Sequence, residues 1–95
     1  MDDREQLMYL LEHYYKGDYD TNTFTDEFYR IYDLEMDYSL LSEMEHELMR
    51  KLSIIVGRYS PYEEDLKGSN LYFSEDDVKN EAANVYLKIL NDRGK

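Results

Sequence analysis

The chain of 95 residues has no cysteine, no tryptophan, one proline and four glycines. Without cysteine, disulfides and thiolate metal sites are excluded, as expected of a chain that works in a reducing cytosol. Apolar runs such as Ile54-Ile55-Val56 fall far short of a bilayer span, so no membrane partner is expected. The opening Met1-Asp2-Asp3-Arg4-Glu5 lacks the basic start and apolar stretch of a signal peptide, which places the expected compartment in the cytoplasm. Positive charge is also scarce. Eleven Lys and Arg stand against 22 Asp and Glu, a net charge of −11. A field of that sign repels phosphate backbones and attracts basic proteins, so direct nucleic-acid binding is not expected.

What is present argues against a disordered acidic tail. Eleven Tyr, three Phe and many Leu, Ile, Val and Met are enough apolar surface to order a chain. A single domain covering residues 1–95 is expected, with a core for which staples are unnecessary. The charge is uneven: residues 1–38 carry a net −8, residues 39–59 are neutral, residues 60–77 carry −5, and residues 78–95 carry +2.

Hydrophobic periodicity predicts four helices. The first runs from about residue 3 to 16, with Leu7, Leu10, Leu11 and Tyr14 inward and Gly17 as the stop. The second begins between Asp20 and Thr23, carries Phe24, Phe28, Ile31 and Tyr32, and fades over residues 33–36. The third has Ser39 or Ser42 as its cap, an apolar stripe of Leu41, Met44, Leu48, Leu52, Ile55 and Tyr59, and ends before Pro61. Gly57 near that end is read as loosening the last turn or permitting close packing. Residues 60–73 read as a loop, with turn chemistry at Lys67-Gly68-Ser69-Asn70 and Leu71, Tyr72 and Phe73 folding back. Ser74 caps the last helix, with Asp77 three residues on, and Val78, Ala82, Val85 and Ile89 face inward. Asn91 and Gly94 are its stop signals. An all-α, antiparallel four-helix bundle is the expected fold.

Catalytic constellations are incomplete. Asp18-Tyr19-Asp20-Thr21-Asn22 opens like a calcium loop, but Thr23 and Tyr29 stand where glycine and a bidentate Glu are required, which favours a polar turn and helix cap. Glu43-Met44-Glu45-His46 offers one Glu-x-x-His where a di-metal bundle needs two, and both side chains are predicted to point off the core. There is no nucleophile elbow and no Gly-rich phosphate loop. The chain is therefore expected not to be an enzyme and to need no cofactor or metal.

Eleven tyrosines are too many for one core. Tyr14, Tyr32, Tyr59 and Tyr86 are expected to wedge between helices with wet hydroxyls, and Tyr62, beside Glu63-Glu64-Asp65, is the candidate contact residue. The candidate partner-binding set is Tyr62, Glu63, Glu64, Asp65, Asp76 and Asp77, directed at a basic protein. Alternatives at this level are an acidic nucleic-acid mimic aimed at another basic target, or a general helical interaction module.

The order of features resembles the colicin D immunity protein family, which includes immunity proteins of contact-dependent growth inhibition systems. The likeness spans nearly the whole chain. It runs from a Leu-rich first helix, through Phe24 and Phe28, to Gly57-Arg58-Tyr59-Ser60-Pro61 with trailing acids. Tyr72, an acidic cap and Asp77-Val78-Lys79-Asn80-Glu81 complete it. The resemblance implies a bacterial, cytoplasmic four-helix protein that binds a cognate tRNA-cleaving toxin domain one-to-one and covers its basic active site with acids, here Glu63, Glu64 and Asp65. Where family members can carry acids before the proline and in the last helical turn, this chain has Ser60 and Gly57.

Overall fold

A computed structural model describes residues 2–68 and 71–93 of the chain. They form an all-α globule with principal extents of 42 × 25 × 23 Å. α1 spans Asp3–Tyr15 and α2 Thr21–Phe28. α3 spans Glu43–Gly57, α4 Glu63–Gly68 and α5 Glu75–Arg93. Among the described residues there is no strand, only an isolated parallel bridge between Tyr59 and Phe73. No helix among them is long and apolar enough to cross a membrane.

Short polar side chains set the helix starts. Asp2 accepts from the Glu5 N–H at 2.8 Å and Asp20 from the Thr23 N–H at 2.7 Å, each satisfying an N-terminal donor that has no partner inside the helix. Thr23, the other predicted start of α2, thus lies inside the helix. α1 stops as predicted. Gly17 adopts a positive φ of 87°, and the Asp18 and Gly17 N–H groups donate back to His13 and Tyr14 carbonyls. At α5, Ser74 and Asp77 bond reciprocally: the Asp77 N–H donates to Ser74 Oγ at 3.2 Å and the Ser74 N–H to Asp77 at 3.0 Å.

α2 does not simply fade. It widens into a seven-residue π-helical run, Tyr29–Glu35, before Met36 turns extended. A 3-10 turn, Tyr38–Leu40, follows. Ser39 is therefore not the cap of α3. Its hydroxyl and N–H both bond Asp37, and Ser42 caps instead, in a full capping box with Glu45.

The core is assembled mainly by α1 and α3 packing on α5, with α2 and its π-helical extension against α1 and α3. The predicted faces of α1 and α2 are all buried, as are Val78, Ala82, Val85 and Ile89 of α5. An aromatic column runs through it: Tyr14 stacks on Phe24 at 4.0 Å between ring centres, Phe24 meets Phe28, and Phe28 meets Tyr32. Of the four tyrosines expected to wedge between helices, Tyr14, Tyr32 and Tyr86 have hydroxyls that are partnered rather than simply wet. Tyr14 meets Thr21 Oγ1 at 2.8 Å in the interior, Tyr32 meets His46 Nδ1 at 3.4 Å, and Tyr86 donates to Glu12 at 3.3 Å.

α3 corrects the predicted stripe. Its buried residues are Glu45, Leu48, Met49, Leu52 and Val56, while Leu41, Met44, Ile55 and Tyr59 are half-buried at the margin. Leu48 and Leu52 of the predicted stripe are buried, but Leu41 precedes the cap and lies outside the helix, and the centre of the face is shifted onto Glu45, Met49 and Val56. The true face is the one that α5, α2 and the π-helical run enclose.

The predicted loop over residues 60–73 is also corrected. It contains α4, which buries none of its residues. Of the three residues expected to fold back, Leu71 and Tyr72 are exposed and only Phe73 is half-buried. The Phe73 N–H donates to the Arg58 carbonyl at 2.7 Å and its carbonyl accepts from the Ser60 N–H at 3.0 Å, pinning the lead-in of α5 to the end of α3. Ser69 and Asn70 of the predicted turn, and the Gly94 stop, lie outside the described residues. The helix runs through Asn91.

Candidate partner-binding site

The end of α3 is shaped by Ser60, a buried residue just before the only proline. Its hydroxyl donates to the Asp65 carboxylate at 2.6 Å and accepts from the Tyr62 N–H at 3.2 Å. This closes a tight loop around Pro61 and starts α4. As a result Tyr62 stands outward, 68 % exposed, immediately before Glu63 and Glu64.

Beside Tyr62 lies an open groove of about 610 Å³. One wall is a face of α2 and the start of its π-helical extension, where Asn22, Thr25, Asp26 and Tyr29 sit at i, i+3, i+4, i+7. The other wall is the end of α3 with the following turn: Val56, Gly57, Tyr59, Pro61 and Tyr62. Gly57 is neither strained nor closely packed. A Cβ built there would meet nothing within 4 Å, so the missing side chain leaves the groove open. This corrects the expectation of close packing.

The electrostatics of this region are negative. Burial pushes the Tyr59 hydroxyl pKa up, and the carboxylates of Glu75 and Asp20 push it further, so the N-termini of α5 and α2 bring acids near this ring. The Asp26 carboxylate makes no hydrogen bond or ion pair among the described residues, whereas that of its neighbour Glu27 is held by Arg30. Among the described residues no Lys or Arg lines the groove.

The predicted set divides by task. Tyr62 lines the groove, and Glu63 and Glu64 follow it on exposed positions. Glu63 has only a solvent-exposed partner, Lys67, at 3.6 Å. Asp65 is half-buried on Ser60, and Asp77 is engaged in capping α5. Asp76 is exposed but, like Asp77, does not line the groove. Asp26, Tyr29 and Gly57 were missed by sequence reasoning. Spacing along the chain puts Asp26 and Tyr29 on one polar stretch, but nothing local brings Gly57 of α3 beside them.

The acids of the calcium-like stretch already have partners. Asp20 caps α2, and Asp18 lies 2.6 Å from His13 Nδ1. Among the described residues no three His, Asp or Glu side chains group as a metal site. Of the Glu-x-x-His stretch, Glu43 is exposed and His46 is half-buried against Tyr32 and Tyr38. Comparison with known proteins returned no significant match to a family model, a curated protein or a solved structure.

Proposed function

We propose that this protein is an immunity protein, not an enzyme, and that it neutralises a cognate bacterial tRNA-cleaving toxin domain in the cytoplasm. It binds that domain one-to-one and covers the basic active site with acidic residues, without cofactor or metal. The observation that carries the reading is an exposed aromatic, Tyr62, followed by the exposed Glu63 and Glu64, beside an open groove that no Lys or Arg lines among the described residues. A site that holds RNA must be basic, and carboxylates on a rigid turn can take the place of phosphates there. In this reading α1, α2, α3 and α5 make an antiparallel four-helix bundle, and α4 is an appended turn at one end that presents the contact residues. The support comes from charge, exposure and the order of features along the chain.

The test is to look in the neighbouring reading frame for a basic nuclease domain and to co-express it with this chain. A one-to-one complex should co-purify, nuclease activity should vanish at saturation, and association should slow steeply as salt rises. Glu63→Lys with Glu64→Lys should slow association at least tenfold and leave the fold intact. A saturated complex that still cleaves tRNA would overturn occlusion. Equal inhibition of unrelated DNA-binding proteins would make the protein a general nucleic-acid mimic instead.

A further inference from the structure

Resting on the proposed partner being basic, we infer that the groove between α2 and the end of α3 receives an arginine side chain of that partner. Three features of the groove select this occupant. The first is its aromatic lining: Tyr29, Tyr59 and Tyr62 surround it, with Tyr29 about half exposed and Tyr62 still more so. Tyrosine faces attract cations, and a flat guanidinium stacks on them better than an ammonium does. The second is Asp26, one helical turn before Tyr29, with no partner of its own among the described residues. An apolar occupant would strip water from this carboxylate without replacing its hydrogen bonds, and an anion would be repelled. A guanidinium can bond it with two parallel N–H groups. The third is the open wall at Gly57, where nothing approaches within 4 Å of a built Cβ.

The protein carries an internal counterpart. A second groove, of about 330 Å³, is lined by Tyr9, Tyr19 and Glu27 together with the chain's own Arg30. That guanidinium bonds Glu27 at 2.5 and 3.1 Å and Glu35 at 3.0 Å. The first groove also combines tyrosines with a carboxylate, here Tyr29, Tyr59 and Tyr62 with Asp26, and among the described residues no arginine lines it.

The probe is the capped tripeptide acetyl-Gly-Arg-Gly-amide, titrated into the ¹⁵N-labelled full chain and followed by NMR. Parallel titrations use the same peptide with citrulline, a neutral isostere, and with lysine. Saturable shifts at the Gly57, Tyr59 and Tyr62 amides are expected from the arginine peptide, several-fold weaker ones from lysine, and none from citrulline. Asp26→Asn should weaken binding about tenfold, and Gly57→Leu, which plugs the groove, should abolish it. Shifts spread evenly over all acidic residues, or equal binding of the lysine and arginine peptides, would overturn the inference.

Applied to the nuclease complex, Asp26→Asn and Gly57→Leu should each speed dissociation about tenfold. Tyr29→Ala provides a second check on the groove should the Leu variant fold poorly. If the nuclease binds all three variants as it binds the native chain, the groove inference fails while the immunity reading stands. If the arginine peptide fills the groove but no nuclease domain binds, the groove stands and the immunity reading falls.

Discussion

At the first turn of α3, Glu45 is buried between its own capping box and Arg4 of α1. Its carboxylate accepts from Arg4 Nε at 3.1 Å and from the Ser42 N–H at 3.1 Å. Some 18 Å further along the helix, by its rise per residue, Gly57 opens onto a groove where the Asp26 carboxylate has no partner among the described residues, and beyond it Glu63 and Glu64 are exposed. The chemical groups are the same and the surroundings differ. A carboxylate removed from water must be bonded on every side, and it then ties α1 to α3. A carboxylate left in water adds little to stability and remains available to a partner. Net charge alone cannot tell these two kinds of acid apart.

The largest effect is expected at the closed end. Glu45→Ala removes both the capping partner and the Arg4 partner and should cost about 2–3 kcal/mol of unfolding free energy in urea, with no change in partner affinity. A loss under about 0.5 kcal/mol would mean that Arg4 is held by water rather than by Glu45.

Acid should weaken the same end next. Burial by itself would raise the Glu45 pKa, but the bonds from Arg4 and Ser42 outweigh it and hold the carboxyl below its ordinary 4.5. The sign follows from linkage: the contribution is complete above the unfolded-state value and is lost as pH falls from there through the folded value. Asp20 and Asp37, also held down by bonds from backbone N–H groups and side chains, add to the same acid loss. Urea midpoints at pH 7 and pH 3.5 should therefore differ, and Glu45→Gln should shrink the difference without removing it.

At the open end, Gly57→Ala should raise stability by up to about 1 kcal/mol, since alanine favours helix and nothing obstructs its methyl group. Destabilisation by thermal melt would mean that the groove wall is closed.

The smallest expected effect separates two neighbours on α5. Asp77→Ala should cost about 0.5–1 kcal/mol as half of the Ser74 capping box. Asp76→Ala, on an exposed side chain, should leave the melting temperature unchanged. Equal losses would erase the distinction between structural and free acids in that run.

Much of the fold was legible before any coordinates. Leu7, Leu10, Leu11 and Tyr14, or Phe24, Phe28, Ile31 and Tyr32, repeat at a spacing that only a helix places on one face. Gly17 and Ser74 mark ends because backbone donors and carbonyls there need local partners. The α3 face was misread because Glu45 looks like a surface residue until Arg4 is brought to it from another helix. The extra turn α4 was missed because its helix buries nothing and so leaves no apolar period. Of the candidate site, Tyr62, Glu63 and Glu64 were identified from local charge and the position of Pro61. Asp26, Tyr29 and Gly57 were not, since the groove exists only where two helices separated in sequence come side by side.

The sequence by itself determined the all-helical class, the helix caps, the acidity and the absence of thiol chemistry, because these depend on composition and on neighbours within a turn or two of the chain. The tertiary structure alone decided which acids are buried, as Glu45 is against Arg4, and which are left exposed. That depends on what packs against each carboxylate, and packing partners are set by the fold rather than by spacing along the chain.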